Sequence, residues 1–463
     1  MATLVRNGAA RRNGSEGSRP RYDSRVYDEA VLGFKNYWYP VFSSKSVGRK
    51  PVGATIMGEG IVFMRTPKGV ARALSNECAH RGTLLSIGEG CLIKGSDTIT
   101  CPYHGWTYDL HSGVCVAVLP EGPKSEVPGK IRIRSYPVEE RKGIVWIWMG
   151  KGDPAPIEED IPNLMQRDDA IVKFRPRVQY GNWRWHSENT AGGHAQMIHK
   201  SSFRVWFTRP RPMNLPSQPH VTHDVDGVGV DNGFIPRGQA LPGEPKPPTP
   251  SMYTEYPGLG TWSPQPKWRQ ILLWPWLRRF RKSLGSEVHG VSKMMMMLPG
   301  VFRVPNFPSA SNIYYEWYVP VDEDHYLYAQ VACLWGSNPI QRLWKNVWYY
   351  AWGKPTGLIQ FNNQDLTFTR QTTNYTKRHG ITSYPHTKLS RNDDFHRTWR
   401  QFASEFARGE GYAYEDGYRA EDSPLVGMVP NIPWLEDAPA ETEDKKEPTE
   451  QKQPEPVPAG GSE

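Results

Sequence analysis

CAHRG (residues 78–82) and CPYHGW (residues 101–106) each pair a cysteine with a histidine over a short spacing. Cysteine thiolates and histidine imidazoles are ligands for soft and borderline metals. Two such pairs on separate loops form a set of two sulfurs and two nitrogens. That set suits either a tetrahedral zinc ion or a [2Fe–2S] cluster in which one iron takes two cysteines and the other takes two histidines. The spacing by itself leaves both metals open.

The residues around the two pairs distinguish between these metals. CAHRG and the longer segment CPYHGWTYDLHSG (residues 101–113) closely resemble the Rieske fold, and the match covers roughly residues 55–115. Respiratory Rieske proteins have two further cysteines, which would stand at Thr83 and Tyr103 here, so the resemblance is to the oxygenase and ferredoxin type. The resemblance implies that a [2Fe–2S] cluster is bound by Cys78, His80, Cys101 and His104.

A second candidate metal site lies in the segment HAQMIH, between His194 and His199. On an ideal helix two residues five positions apart point about 140° away from each other, so joint binding requires the helix to end or bend between them. The two glycines just before His194 favour such an irregularity. A histidine pair alone is a weak indication of a metal. The rival histidines nearby are His186, His220 and His223.

The surrounding segment ENTAGGHAQMIHK (residues 188–200) resembles the helix of Rieske non-haem iron oxygenases in which two histidines bind Fe(II). The resemblance implies His194 and His199 as ligands, with Asp365 in the segment FNNQD as the third. Two histidines and one carboxylate form a facial triad, which leaves positions open for O₂ and substrate. Glu188 and Asn189 lie on the same predicted helix and are candidate catalytic residues.

One position departs from the family pattern. Family members usually have a carboxylate three residues before the first histidine ligand, where it links the iron histidine to a Rieske histidine of a neighbouring subunit. That position is Ala191 here. Glu188 lies about one and two-thirds helical turns before His194 and is a candidate substitute. The departure affects the expected link between the two metals and leaves the ligands as they are.

Three further segments refine the resemblance, which covers most of residues 30–410. EWYVP (316–320), FNNQD (361–365) and SKMMMMLPG (292–300) resemble the carbazole-dioxygenase-like branch. The resemblance implies a homotrimeric terminal oxygenase component that uses O₂ to hydroxylate a small aromatic or polycyclic hydrophobic substrate. Electrons are expected from a ferredoxin, an NAD(P)H-dependent reductase or both, because no GxGxxG motif follows a strand and opens a helix here.

Other functions are compatible with parts of the pattern. HAQMIH also resembles dealkylating monooxygenases of the dicamba type, so oxidative O- or N-dealkylation is an alternative with the same iron ligands. An electron-transfer protein with an inactive second metal site is a more remote alternative, and Ala191 is its only support. A zinc-binding interaction protein is the third, and its colourless metal would distinguish it from a red-brown iron–sulfur protein.

Composition excludes several classes of protein. With 463 residues, of which 38% are apolar and 22% charged, the chain is a globular protein of two to four domains. It has no run of 18 apolar residues, so no membrane span is expected. Five cysteines, an odd number, argue against a disulfide scaffold and favour the cytoplasm. The net charge is +8, but the sequence has no nucleic-acid-binding motif, so no nucleic-acid partner is expected.

Periodicity divides the chain into two domains and two tails. Short β-rich runs such as GEGIVFMRT and GIVWIWMG predict an all-β domain over residues 26–160, which the resemblance implies is a Rieske domain with an N-terminal extension. Mixed strands and helices predict an α+β catalytic domain over residues 161–436. The resemblance implies a helix-grip arrangement for it, an antiparallel sheet plus helices. The tails, residues 1–25 and 437–463, are predicted to be disordered.

Within the catalytic region the patterns predict individual elements. The segment from 314 to 335 reads as two strands joined by an Asp-Glu-Asp turn, and residues 217–266 read as long loops because they are rich in proline and glycine. The predicted helices cover residues 183–203, 340–376 and 393–408.

Overall fold

The structure is a computed structural model and describes residues 24–189, 198–199, 202, 219–233, 287–379 and 393–408. The strands, β1 to β17 in chain order, are Trp38–Ser43, Val52–Ile56, Glu59–Arg65, Ala71–Ser75, Thr98–Thr100, Trp106–Asp109, Cys115–Val118, Ser135–Tyr136, Val138–Arg141, Ile144–Trp148, Ile171–Tyr180, Val221–Asp224, Gly227–Asp231, Met295–Met297, Val301–Pro305, Ile313–Pro320 and His325–Leu334. The α-helices, α1 to α6, are Arg25–Glu29, Asn163–Gln166, Trp183–Asn189, Pro339–Trp348, Asn362–Arg378 and Asp394–Phe406. A π-helical segment, Tyr349–Phe361, joins α4 to α5.

The strands up to β10 form three small antiparallel sheets, in the orders β1-β10-β9, β2-β3-β4-β8 and β5-β6-β7. The first Cys–His segment follows β4, and the second occupies the tight connection between β5 and β6. The contact between the rings of His80 and His104 places both segments at the same end of this region. The all-β prediction for this part of the chain is confirmed.

The later strands form one seven-stranded antiparallel sheet in the order β11-β17-β16-β15-β14-β13-β12. Every residue of β16 is buried, because the sheet is covered on both faces. On one face Trp317 packs edge-on against Trp146 of β10, with ring centroids 5.5 Å apart. On the other face Glu316 accepts a hydrogen bond from Asn362 at the start of α5. The antiparallel sheet with helices confirms the α+β prediction.

Several individual predictions can be compared with these elements. The strand pair β16–β17 and the helices over 340–376 and 393–408 are confirmed. The helix over 183–203 is confirmed as far as α3, and most of the remainder lies outside the described residues. The loop prediction over 217–266 is wrong where β12 and β13 form a hairpin. That hairpin joins the sheet through the pairing of β13 with β14, and Arg303 of β15 also binds Asp224 of β12 through both terminal nitrogens, at 2.9 and 2.7 Å.

A continuous helical rod runs from α4 through the π-helical segment to α5. Asn338 begins it, since its side-chain oxygen accepts a hydrogen bond from the backbone N–H of Gln341 at 2.9 Å. Pro355 lies inside the π-helical segment, where its missing N–H is compatible with a departure from regular α-helix. The rod matters for function because its last part carries Asp365. None of the described helices is long and apolar enough to cross a membrane.

Two candidate metal centres

The two Cys–His segments fold into loops of the same design. The backbone N–H of Gly82 donates to the carbonyl of Cys78 at 2.8 Å, and that of Gly105 donates to the carbonyl of Cys101 at 3.1 Å. Both glycines have positive φ angles, 71° and 67°, which a side chain would disfavour. Each loop therefore needs a glycine four residues after its cysteine. This requirement explains the shared spacing of CAHRG and CPYHG in the sequence.

These loops bring the four predicted cluster ligands together as two pairs, the cysteines and the histidines. Cys78 and Cys101 are buried, each 2% exposed. The rings of His80 and His104 lie 4.7 Å apart, and His80 stacks on Trp106 with the two planes parallel. Burial raises the pKa of the Cys101 thiol, and the neighbouring Cys78 raises it further. A bound cation would reverse this effect, because thiolates coordinated to a metal are deprotonated.

The donor set fits a [2Fe–2S] cluster. His80 Nδ1 is buried and has no hydrogen-bond partner among the described residues. This is what is expected of a ring nitrogen that binds a metal, because buried polar atoms otherwise have hydrogen-bond partners. A Rieske cluster places only two protein ligands on each iron. The structure pairs the two histidine rings with each other, as this division of ligands requires.

A buried tyrosine supports the first loop. The Tyr108 hydroxyl lies 3.1 Å from Cys78 Sγ and accepts a hydrogen bond from the backbone N–H of Ala79, also at 3.1 Å. Burial raises the pKa of Tyr108 well above its usual value, with Cys78 adding to the effect, so its proton is retained. The hydroxyl can then donate to the sulfur, and hydrogen bonds to ligand sulfurs are one of the means by which proteins set cluster potentials.

The second candidate centre unites residues far apart in the sequence. His199 Nε2 lies 3.2 Å from Asp365 Oδ1, and both side chains are buried. Phe361, one helical turn before Asp365, stacks on the His199 ring with centroids 3.5 Å apart. Two predicted ligands are thus adjacent in a site with little access to water. His194, the third, lies outside the described residues, as does Ala191.

Hydrogen bonds orient both of these side chains. Gln364 Oε1 lies 3.0 Å from His199 Nδ1, and because an amide oxygen only accepts, Nδ1 is the donor of this hydrogen bond. Nε2 faces Asp365 and is the nitrogen that would bind a metal held between the two side chains. Asn189 Nδ2 donates to Asp365 Oδ1 at 3.0 Å. This arrangement suits a metal site, because a ligating histidine usually donates its other ring N–H to an oxygen acceptor. Gln364 lies within the quoted segment FNNQD, but its partner could not be identified from sequence.

The rival histidines have other surroundings. His186 is buried among tyrosine rings, and its Nδ1 lies 2.6 Å from the Tyr326 hydroxyl. His220 and His223 are exposed at the β12 edge of the large sheet, whereas α5 contacts the sheet at β16 and β17. The structure therefore places only His199, among the described histidines of this region, against Asp365.

Glu188 and Asn189 point to different partners. Asn189 contacts Asp365, as described above. Glu188 is bound side-on by Arg400 of α6, and its backbone carbonyl lies 2.8 Å from His396 Nε2. Both oxygens of Glu188 are hydrogen-bonded to Arg400. Its predicted role as a substitute for the absent bridging carboxylate stays a prediction. Arg400 was not among the predicted site residues, since no local pattern connects it with a segment so distant.

A buried polar network beneath the second centre was also not predicted. Glu316 accepts hydrogen bonds from the hydroxyls of Tyr318 and Tyr328 and from Asn362 Nδ2, the last at 3.0 Å. Burial raises the pKa of Glu316 to about 7, although the tyrosine hydroxyls lower it. The network joins β16 and β17 to the first turn of α5, one turn before Asp365. It therefore fixes the place of that carboxylate.

Two family models match the chain. One, a Rieske [2Fe-2S] domain, matches residues 37–137, and the other, described as homotrimeric ring hydroxylase, matches residues 148–410. The terminal oxygenase component of carbazole 1,9a-dioxygenase from Metapseudomonas resinovorans is 30% identical over 353 residues, covering 73% of this chain and 83% of that relative. The chain belongs to the homotrimeric ring hydroxylases.

Other similarities to this family concern structure and the dealkylating branch. The terminal oxygenase of carbazole 1,9a-dioxygenase from Nocardioides aromaticivorans has a TM-score of 0.65 and 27% identity, covering 84% of this chain and 99% of that structure. The oxygenase component of dicamba O-demethylase from Stenotrophomonas maltophilia is 35% identical over 174 residues, covering 36% of this chain and 48% of that relative.

Membership of this family tests several of the sequence-based predictions at once. As a homotrimeric ring hydroxylase with a Rieske domain, the protein is a Rieske-type non-haem iron oxygenase, and its cofactors are a [2Fe–2S] cluster and a mononuclear non-haem iron. The predicted family, fold class, enzyme class and cofactors are confirmed. The zinc alternative is wrong, because the N-terminal region matches the [2Fe-2S] family itself. The assignment of individual ligands stays a prediction.

Proposed function

We propose that this protein is a terminal oxygenase component that hydroxylates a small aromatic or polycyclic hydrophobic compound with O₂ and with electrons from a separate ferredoxin or reductase. The observation that carries the proposal is the contact of His199 with Asp365 in a chain that also holds the paired Cys–His loops. Carbazole dioxygenase relatives of known structure include an oxygenase–ferredoxin complex and a carbazole-bound oxygenase, which supports the donor and the substrate class.

In the proposed Rieske site Cys78 and Cys101 would hold one iron, and His80 and His104 would hold the other. The cysteines are buried, whereas the two histidines are partly exposed, so the histidine end of the site lies nearer to the surface. Electrons from an external donor would enter most directly at that end. The buried Tyr108 hydroxyl steadies the cysteine end.

In the proposed mononuclear site His194, His199 and Asp365 hold the iron, which supplies the binding and activation of O₂. The chain's other residues orient and shield these ligands. Gln364 keeps the Nε2 lone pair of His199 directed at the site, Asn189 holds Asp365, and the Phe361 ring covers one face of His199 and excludes water.

The test is turnover with a defined electron donor. Purified protein, reconstituted with Fe(II) and supplied with NADH, a reductase and a ferredoxin, is incubated with a panel of fused-ring aromatics under ¹⁸O₂. We expect substrate-dependent O₂ uptake and a product that carries ¹⁸O. A fully loaded protein that shows rapid cluster reduction but no labelled product from any panel member would favour the electron-transfer alternative.

Oxidative dealkylation is the second candidate function. The similarity to dicamba O-demethylase supports it, although it covers 36% of this chain. Methoxy- and N-methyl-substituted aromatics distinguish the two reactions, because demethylation releases formaldehyde and ring hydroxylation leaves the methyl group in the product. Formaldehyde released in step with O₂ uptake would favour demethylation, and its absence would favour hydroxylation.

We also propose a cytoplasmic location. None of the five cysteines forms a disulfide, and burial raises the pKa of the Cys333 thiol well above its usual value. Cysteines without disulfides are typical of a reducing compartment. Cell fractionation with antibodies against the protein tests this, and recovery with a membrane or extracellular fraction would contradict it.

A further inference from the structure

Helix α4 is oriented with its apolar side outward. Ile340, Leu343, Trp344 and Val347 occupy one face of the helix and are 81%, 66%, 62% and 49% exposed. No residue of this fully described helix is buried. A surface helix ordinarily directs such a stripe towards the core. Contiguous apolar patches on monomers rarely exceed a few hundred Å², so four large side chains side by side are unusual.

The polar side of α4 faces the body of the protein instead. Lys345 is half-buried, and its Nζ donates to the carbonyl of Ala310 at 3.3 Å. Burial lowers the pKa of Lys345, as expected for an ammonium group with few water contacts. Asn346 is also partly buried and donates to the carbonyl of Arg342 at 2.8 Å. The helix is therefore attached by its polar residues, while four of its large apolar side chains point away from the part of the protein that the structure describes.

The apolar surface continues into the next helical segment. Tyr350 is 56% exposed, and the ammonium groups of Lys173 and Lys354 lie 5.3 and 5.8 Å from the centre of its ring. We call the surface formed by Ile340, Leu343, Trp344, Val347 and Tyr350 the outward stripe. Residues 338–364 contain no Asp or Glu, so the surroundings of the stripe are apolar and basic.

We propose that the outward stripe is a subunit contact, covered by a second copy of this chain. The family to which the chain belongs is described as homotrimeric. In a three-fold ring each subunit contacts its two neighbours through two different surfaces. Each chain therefore has surface patches that become buried only when the trimer forms. The outward stripe has the character of the core of such a contact, which is aromatic and poor in charge.

A lipid surface fits the same stripe less well. A membrane-surface helix uses the basic residues of its polar face to reach anionic headgroups beside its apolar face. In α4 the polar face is turned inward, and Lys345 is held by a backbone carbonyl. Lys345 is thus directed away from the plane in which a bilayer would lie, and Lys173 and Lys354, beside the stripe, lie over the ring of Tyr350.

The position of the stripe connects assembly with the iron site. The rod that begins with α4 continues without a break through the π-helical segment to α5, which carries Asp365. A neighbouring subunit that packs against α4 would fix one end of the rod. The Glu316 network fixes the rod again at Asn362, one turn before Asp365. Assembly would then restrict movement of Asp365 relative to His199.

The test compares the mass in solution of the full-length holoprotein with that of two variants, Leu343→Glu and Ile340→Glu. Both side chains are exposed in the single chain, so their replacement should leave the fold intact. Val221→Glu is the matched control, since Val221 is 54% exposed on β12 at the far edge of the sheet. Sedimentation velocity across a concentration series gives the mass, while visible absorbance and circular dichroism report the fold.

We expect the unsubstituted protein and Val221→Glu to sediment as trimers, and both stripe variants to shift towards monomers at the same concentration. A carboxylate in an apolar contact should weaken association at least about tenfold. Stripe variants that remain trimeric over the whole series would overturn the proposal. The proposal would also be overturned if the unsubstituted protein bound anionic vesicles and the stripe variants lost that binding while remaining trimeric. That result would assign the stripe to lipid. The measurement needs no substrate, so it is independent of the proposed reaction.

Discussion

Arg400 binds both oxygens of the Glu188 carboxylate, from Nε to Oε1 at 2.7 Å and from Nη2 to Oε2 at 2.8 Å. Both side chains are buried, Glu188 8% and Arg400 4% exposed. The pair joins α3, which precedes the HAQMIH segment, to α6, which lies far along the chain. A side-on guanidinium pair of this kind fixes orientation as well as neutralising charge. It therefore positions Asn189, the next residue, which holds Asp365.

Removing Arg400 should destabilise the protein strongly. Arg400→Ala leaves a buried carboxylate without its cation, and the expected loss in the free energy of unfolding is about 3–5 kcal/mol. Arg397→Ala on the same helix is the control. Its ion pair with Asp394 is about 40% exposed on both sides, so the expected loss is below about 1 kcal/mol. Urea denaturation followed by circular dichroism measures both, and equal losses would contradict a special role for the buried pair.

Glu188→Gln tests whether Glu188 links the two metal sites. Because both oxygens are committed to Arg400, we expect the reduced cluster to be reoxidised by O₂ and substrate at a rate within about twofold of the unsubstituted protein. Stopped-flow absorbance in a single turnover measures that rate. A slowing of more than tenfold, with the fold and the iron content intact, would instead show that Glu188 takes the bridging role of the carboxylate that other family members have at the position of Ala191.

Asp365→Ala should remove the mononuclear iron and leave the cluster. Iron content is expected to fall from about three to about two per chain, with the visible spectrum retained and product formation lost. Asp394→Ala, an exposed carboxylate of α6, is the control and should keep all the iron. Full activity in Asp365→Ala would show that another residue supplies the carboxylate.

His80→Ala should bleach the protein, because one iron of the cluster loses a ligand. His111→Ala is the matched control in the same domain. His111 binds Asp97 at 3.0 Å and is not a predicted ligand, so its replacement should leave the colour unchanged. Visible absorbance and low-temperature EPR of the reduced protein follow the cluster. An undiminished Rieske signal in His80→Ala would rule His80 out.

The buried Glu316 should make stability depend on pH. Its pKa rises from 4.5 to about 7 on folding, so the folded state binds more protons between these values. The contribution is fully present below about pH 4.5 and is lost as the pH rises through 7, an effect of about 3 kcal/mol. Glu316→Gln should remove this dependence.

Denaturation at several pH values from 4.5 to 8.5 measures the Glu316 effect as the difference between the two proteins. Glu126→Gln is the control, because Glu126 is 91% exposed and should leave the profile unchanged. Parallel profiles for the unsubstituted protein and Glu316→Gln would show that Glu316 is ionised in the fold across this range.

Local chemistry explains what could be predicted. The cluster ligands could be predicted because each loop carries a cysteine, a histidine and a glycine four residues after the cysteine, and all three fall within five residues. The strand pair 314–335 was found because burial on both faces leaves a nearly continuous apolar run broken by a polar turn. The β12–β13 hairpin was missed because its partners, β14 and Arg303, are distant in sequence.

The sequence alone determined the cofactor loops, the fold class and the family, since each depends on residues close together in the chain. Tertiary structure decided which distant groups meet: His199 with Asp365, Glu188 with Arg400, and Glu316 with Asn362. It also decided that the apolar face of α4 points outward. Helical periodicity shows that a helix has an apolar face, but only the packing of the whole chain determines which side of it meets solvent.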